Sequence, residues 1–388
     1  MSLPDFRQEL AALEGEALRR RRCIVESAHG PVMRVDGREV IAFCDNDYLG
    51  LASDPMLIAA AQDGARRYGV GSGASPLISG YTTAHAALEE RLAAFVGMER
   101  ALVFSTGYHA NLATVPSLVG RGDAVFSDRL NHASLIDAAR LSRAEIHTYP
   151  HLDLAALDAG LAASAARRKL VVTDTVFSMD GDRAPLPALL ALAERHDAWL
   201  MVDDAHGFGL LGPQGRGAAA HFGLASPRLV YMGTLGKAAG VSGAFVAGAA
   251  NLVEWLLQKG RTYIFSTAEP PLLAHALLTG VDLIEQGDGR RDHLRRLIAQ
   301  LRDGLTLARW KLLDSATPIQ PVIIGGNAEA MAVANALFER GLWVPGIRPP
   351  TVPQGTARLR ITLSAAHGEA QVARLAAALL ELESHPAA

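Results

Sequence analysis

The sequence predicts an α/β fold: a mostly parallel central sheet with helices covering both faces. Three observations predict it. Short apolar runs suited to buried strands recur between residues 101 and 248. Helical segments separate them, which is the connection that parallel strands require. The chain has 388 residues, 49% hydrophobic and 20% charged, a globular composition long enough for two domains. A chain of this size buries about three quarters of its unfolded surface, so its stability needs neither a disulfide nor a metal.

In order along the chain, residues 6–22 (FRQELAALEGEALRRRR) carry apolar residues at helical spacing and end in a basic cluster, read either as a solvated face or as an anion-binding surface. VMRVDG and REVIAFC read as short strands around a turn at Gly37. Pro55 to Tyr68 and His85 to Val96 read as helices. ALVFST (101–106), AVFS (124–127), LVVTDTVFS (170–178), WLMVDD (199–204), LVYMG (229–233) and AFVAG (244–248) are the buried strands, with a helix at Pro187 to His196. A long helix from Pro271 to Ile284 precedes the polar, Gly-bearing EQGDGRRD, where a domain boundary is expected. The rest reads as α+β, with helices at 290–308, 328–340 and 368–382 and strands near PVIIG and RLRITL. The expected division is therefore an N-terminal helix with short strands (1–50), a large α/β domain (51–286) and a small α+β domain (287–388).

Composition excludes several classes. The net charge of -3 gives a nucleic-acid partner no electrostatic support. Two cysteines, Cys23 and Cys44, rule out a disulfide scaffold and a four-thiolate zinc site. No Walker A string, HExxH or CxxC occurs, so no metal is expected. The opening MSLPDFRQEL lacks the apolar stretch of a signal peptide, and the best candidate span, Ala238 to Val253, is too short and Gly-rich for a membrane helix. The expectation is a soluble cytoplasmic protein without a membrane partner.

Strands of a parallel sheet place ligands at their carboxyl ends, so polar residues there are read first. Gly207-Phe-Gly209-Leu-Leu-Gly212 follows WLMVDD and matches a dinucleotide fingerprint. However, Pro213 and Gly215 stand where a helix must begin, and no acid lies between Asp204 and Glu254 to hold a ribose. WLMVDDAHG itself carries Asp203, Asp204 and His206. Adjacent strand residues face opposite ways, so one acid serves a ligand while the other caps backbone. A buried carboxylate costs several kcal/mol unless paired, and a cationic ring nitrogen satisfies it; a structural aspartate bonded to a turn is the alternative.

Only four of the 37 basic residues are lysines: Lys169, Lys237, Lys259 and Lys311. Chemistry that needs a deprotonatable amine cannot use arginine. Lys237 alone follows a strand and sits among small residues (Gly233, Thr234, Gly236, Ala238, Ala239, Gly240), a setting for a partly desolvated amine that condenses with an aldehyde. In FSTGYHAN (104–111), Gly107 opens a helix after a strand, which suits a phosphate, and Tyr108 is placed to pack on a ring; a simple strand–helix turn fits equally. His132 opens a helix in RLNHASLID and is either structural or a ring-stacking group.

An acid for a ring nitrogen, a histidine three residues on, a lysine after a later strand and a Gly-opened phosphate helix together describe a pyridoxal-phosphate site. With these residues the chain resembles the α-oxoamine synthases, fold-type I pyridoxal-phosphate enzymes. The resemblance spans nearly the whole chain through DNDYLGL (45–51), GSGASPLISGYTTAH (71–85), TVFSMDGD (175–182), VDDAHGFG (202–209), the Lys237 segment and IRPPTVPQGTARLRITLSAAH (347–367).

The resemblance implies a fold-type I transferase that uses pyridoxal 5'-phosphate. Lys237 is its aldehyde-binding lysine, Asp203 the partner of the ring nitrogen, His206 the partner of the phenolic oxygen and His132 the stacking histidine. Gly107, Tyr108, Ser178 and Thr234 match cofactor-contacting positions, with Tyr108 a variation on a usual Phe. Arg360 matches the arginine that forks the amino-acid carboxylate, Asn46 lines the substrate site, and Arg19 and Thr351 contact the acyl substrate. The implied activity is an acyltransferase reaction joining L-alanine to a pimeloyl thioester, carried on CoA or on acyl carrier protein, in a homodimer of the biotin route. Alternatives are a relative joining glycine or serine to another acyl thioester, or an aminotransferase.

Overall fold

The computed structural model describes residues 5–384; residues 1–4, which begin MSLPDFRQEL, and residues 385–388, which end the expected C-terminal domain, lie outside it. The described residues form two compact units: one of 49–178 and 183–291, the other of 5–48, 179–182 and 292–384.

The larger unit is built on seven strands: β1 (Arg100–Phe104), β2 (Ala124–Asp128), β3 (Glu145–Tyr149), β4 (Lys169–Asp174), β5 (Ala198–Asp203), β6 (Leu229–Thr234) and β7 (Ala244–Gly248). Their spatial order is β1-β7-β6-β5-β4-β2-β3. All neighbours are parallel except β7, which runs against both β1 and β6. Inner strands are apolar on both faces because helices cover both: Leu170, Val171 and Val172 on β4 and Leu200, Met201 and Val202 on β5 are all fully buried. β3 has no counterpart among the expected strands. It forms the sheet edge, and its exposed Glu145 and half-exposed His147 break the apolar run that marks an inner strand.

From β2 the chain steps outward to β3 and then returns to the other side of β2 as β4, so the winding reverses between β2 and β4. Open α/β sheets bind ligands outside the carboxyl ends of strands at such a reversal. Helices Gly107–Leu118 and Ala133–Ser142 start just past β1 and β2 and bury Ala110, Val115 and Leu135 in the core shared with Val172, Met201 and Val230. The helix Pro55–Tyr68 starts where expected, capped by Asp54, whose side chain accepts from Met56 N at 2.9 Å.

In the smaller unit, strands Val32–Val35 and Arg38–Ala42 form a hairpin whose two turn residues, Asp36 and Gly37, have φ of 47° and 79°, the left-handed geometry of a tight hairpin loop. A four-stranded antiparallel sheet runs Lys311–Leu312, Ile319–Gly325, Ala357–Thr362, Gly346–Ile347. Helices Asn327–Glu339 and Glu369–Ser384 belong to the same unit. The MDGD part of TVFSMDGD is tied into it. Arg358 donates to Met179 O (3.0 Å) and Asp180 Oδ1 (2.5 Å), and Ser315 donates to Gly181 O (2.9 Å). A side chain at Gly181, φ +74°, would lie 2.6 Å from Ile319 O, so this motif is a packing element. The helix expected over 6–22 is shorter, Arg7–Gly15, and Arg19 to Arg22 lie outside it. The helix stops at Gly15, a residue that weakens a helix, and the chain turns at Ala17 (φ 54°) before the arginines begin.

Candidate active site

Five strand ends of the larger unit, those of β1, β2, β4, β5 and β6, carry the candidate site residues. Asp174 and Asp203 end β4 and β5 and are register partners, so two buried carboxyl groups sit side by side. Asp203 accepts from Asn111 Nδ2 at 2.8 Å and from Ala205 N at 3.0 Å, neither of which is a cation. Burial, reinforced by the charge of Asp203, pushes the Asp174 carboxyl well above the usual range and favours its neutral form; the N–H of His132, donating at 2.6 Å, opposes this. Asp204 points the other way. It accepts from Ala218 N (2.8 Å), Tyr231 OH (2.6 Å) and the Thr175 hydroxyl, and burial pushes its carboxyl up to about 6. The strand alternation thus divides the two acids as expected: Asp204 ties a neighbouring backbone and Asp203 turns to the strand-end cluster.

Past β6 the chain makes a closed turn: Leu235 N donates to Gly243 O (2.8 Å), Val241 N to Leu235 O (3.1 Å) and Gly240 N to Lys237 O (2.9 Å). Thr234 adds its hydroxyl to Gly243 O at 3.1 Å. The turn holds Lys237 Nζ 2.9 Å from His206 Nε2. Its small residues are needed for close packing. A side chain at Gly240 (φ +72°) would lie 2.7 Å from Ala52 N, and one at Gly209 (φ +83°) 2.7 Å from the Ala238 methyl. One at Gly207 would overlap Asp204 Oδ1 at 2.1 Å, so the glycine string after β5 serves packing, not a dinucleotide. The remaining lysines are otherwise engaged: Lys169 Nζ donates to His196 O at 3.1 Å, Lys259 lies 5.2 Å from the Trp255 ring centre, and Lys311 is exposed.

Gly107 is the first residue of its helix, and Thr106 caps it by accepting from His109 N at 3.1 Å. Tyr108 is exposed and donates its hydroxyl to Asp137. His132 caps the helix Ala133–Ser142, with Nδ1 2.7 Å from Ser134 Oγ. Lost hydration lowers its pKa, Asp203 opposing and Lys237 reinforcing the shift. Ser178 is half-buried at the end of the segment after β4. A buried carboxylate held by two neutral donors, an amine beside a histidine and the first turn of a helix match, in chemistry, the ring nitrogen, aldehyde and phosphate of pyridoxal phosphate.

The smaller unit holds the other residues. Arg360, on Ala357–Thr362, is buried and donates to Thr362 Oγ1 (3.1 Å) and Asn46 Oδ1 (3.3 Å), which also accepts from Tyr48 OH (3.1 Å). Arg19 is exposed, paired with Glu14 at 3.2 Å, and lines a cleft of about 380 Å³ with Leu10, Leu13, Leu18, Arg20, Pro349 and Pro350. Thr351 is exposed directly after that proline pair. Sequence reasoning passed over Asn111, Ser134 and Asp174. Asp174 carried a usable signal, an acid ending an apolar strand in the same way as Asp203; the other two are ordinary helix residues by type.

The family model described as aminotransferase class I and II matches residues 38–379. The chain is 66% identical to an 8-amino-7-oxononanoate synthase of Aromatoleum aromaticum, over 99% of this chain and 100% of that one. It is 65% identical to the protein of that name in Azoarcus, over 98% of each. Among solved structures, a serine palmitoyltransferase variant from S. paucimobilis with a bound PLP–myriocin aldimine superposes with a TM-score of 0.91 at 30% identity, covering 96% of this chain and 95% of that one. The 8-amino-7-oxononanoate synthase of Francisella tularensis gives 0.77 at 31% identity, over 89% and 97%. The chain belongs to the aminotransferase class I and II family and, within it, to the group of the 8-amino-7-oxononanoate synthases.

Proposed function

We propose that this chain is a pyridoxal-phosphate acyltransferase that condenses L-alanine with a pimeloyl thioester, releasing CO2 and free thiol and giving 8-amino-7-oxononanoate. The observation that carries the reading is the strand-end cluster: buried Asp203 with no cation among its hydrogen-bond donors, and Lys237 beside His206. When bound, the cofactor supplies an electron sink for the carbanion at the amino acid's Cα.

The residues divide the work. Asp203 keeps the proton on the ring nitrogen, an ion pair that is strongest where water is excluded. Lys237 would hold the cofactor aldehyde, and its amine is the group placed to take the α-proton and to return one. His206 addresses the phenolic oxygen. His132 would lie against the cofactor ring and would donate to the thioester oxygen as charge develops there. Gly107 and Tyr108 start the helix that receives the phosphate, with Ser178 and Thr234 completing the cofactor contacts. Arg360 takes the amino-acid carboxylate bidentately, with Asn46 alongside. Arg19 and Thr351 meet the acyl donor.

The enzyme is assigned to the cytoplasm and to a homodimer of the biotin route. No helix among the described residues is long and apolar enough to cross a membrane. The test is a panel of alanine, glycine and serine against pimeloyl, acetyl, succinyl and palmitoyl thioesters on CoA and on acyl carrier protein, with thiol release as the readout. Release with alanine and a pimeloyl donor is expected. Preference for serine with palmitoyl thioester, or conversion of the cofactor to its amine form by a keto acid, would overturn the assignment.

A further inference from the structure

Two buried side chains, Asn111 and Ser134, link Asp203 to His132, and the proton count along them is fixed. A carboxylate only accepts, so the amide facing Asp203 Oδ2 at 2.8 Å presents its NH2 group. The second N–H of that same Asn111 nitrogen points at Ser134 Oγ, also at 2.8 Å. Turning the amide over would set its oxygen against the carboxylate, so the orientation is settled by charge. The Ser134 hydroxyl has one proton. Because it accepts from Asn111, it gives that proton onward to His132 Nδ1, 2.7 Å away. The Ser134 backbone N–H also points at Nδ1, at 3.3 Å. With two donors aimed at Nδ1, the proton of a neutral ring stands on Nε2.

Asn111, Ser134 and Asp203 are all nearly inaccessible (0%, 1% and 3% exposed), so water cannot substitute for a missing member. The backbone of His132 is pinned separately, its N–H on Asp174 Oδ2 at 2.6 Å, so both ends of the residue are fixed.

We infer that Asn111 and Ser134 are positioning residues that hold His132 as the Nε2-protonated tautomer, with Asp203 setting the direction of the chain. This deepens the function proposed above and rests on it for the role of His132 as a donor to the thioester oxygen. One carboxylate thereby serves two ends of the reaction, the ring nitrogen and, through two intervening side chains, the histidine that meets the acyl group. The lowered pKa of His132 is consistent with a neutral ring at working pH.

The test is nitrogen-15 NMR of the holoenzyme labelled in histidine, with His132 assigned by its loss in His132→Asn. The wild type is expected to show an unprotonated Nδ1 and a protonated Nε2. Ser134→Ala is expected to mix the tautomers and lower kcat with the acyl donor at least about tenfold. KM for alanine and cofactor absorbance should not change, and Ser134→Thr, which keeps the hydroxyl, should restore the signal. Asn111→Leu also removes a donor from Asp203 and is therefore read through the tautomer alone, which is expected to mix; if it fails to fold, Ser134→Ala alone decides. A wild-type ring protonated on Nδ1, or an unchanged ring in Ser134→Ala, overturns the inference. The tautomer is read without turnover, so its failure is distinct from failure of the proposed reaction, which shows instead as an absent cofactor signal.

Discussion

The strand ends of the larger unit and the Arg19–Thr351 region of the smaller one are built on different principles. Around Asp203 the side chains of Asn111, Ser134 and Asp174 are buried, and each hydrogen bond fixes the next, out to the exposed His132. Around Arg19 the helix Arg7–Gly15 buries nothing, the arginines are exposed, and the cleft is walled by leucines and prolines. Chemistry on a fixed ring needs groups held to a fraction of an ångström, whereas contact with a long flexible donor tolerates mobile arms. Arg360 belongs with the first kind although it lies in the smaller unit: it is buried and its donors are directed by Thr362 and Asn46.

The comparison breaks if the buried cluster proves tolerant. Asp203→Asn is expected to lower the exchange rate of the alanine α-hydrogen by about 10²–10⁴-fold while cofactor still binds, measured by deuterium wash-in. Wild-type exchange would remove Asp203 from the chemistry. Arg360→Lys loses a charge-assisted bond of about 1.5–3 kcal/mol. It is expected to raise KM for alanine by roughly tenfold to a hundredfold without changing KM for the donor. An equal rise in both would place Arg360 with the tolerant group.

Glu269 sharpens the same contrast through stability. It is buried, its Oε2 has no partner, and burial pushes its carboxyl up to about 7 from the usual 4.5. A folded-state pKa above the unfolded one means that this contribution is fully present below pH 4.5 and is lost as pH rises through about 7. Glu269→Gln is expected to flatten the fall in stability between pH 5 and 8, a difference on the order of 3 kcal/mol, read from denaturant midpoints. Parallel curves for the two proteins would show that Glu269 ionises freely.

The parts legible in sequence were those whose residue type is costly without a purpose. An acid at the end of an apolar strand, and a lysine among glycines in a chain that otherwise uses arginine, stood out for Asp203 and Lys237. The inner strands were legible because burial on both faces leaves an unbroken apolar run, while β3, half-exposed at the edge, leaves none. The bonds of Asn111 and Ser134 were not legible because they depend on what the two side chains face across two helices, and amide and hydroxyl groups in helices carry no such information. The first helix is shorter than its spacing suggests because apolar periodicity continues past Gly15, where the helix stops.

The account depends most directly on where the cofactor is bound. Borohydride reduction of the protein loaded with pyridoxal phosphate, followed by peptide mass mapping, should place a single adduct on Lys237, and Lys237→Ala should lose the adduct, the visible absorbance and turnover together. An adduct on Lys169, Lys259 or Lys311, or a Lys237→Ala protein that still releases thiol at the wild-type rate, would contradict it.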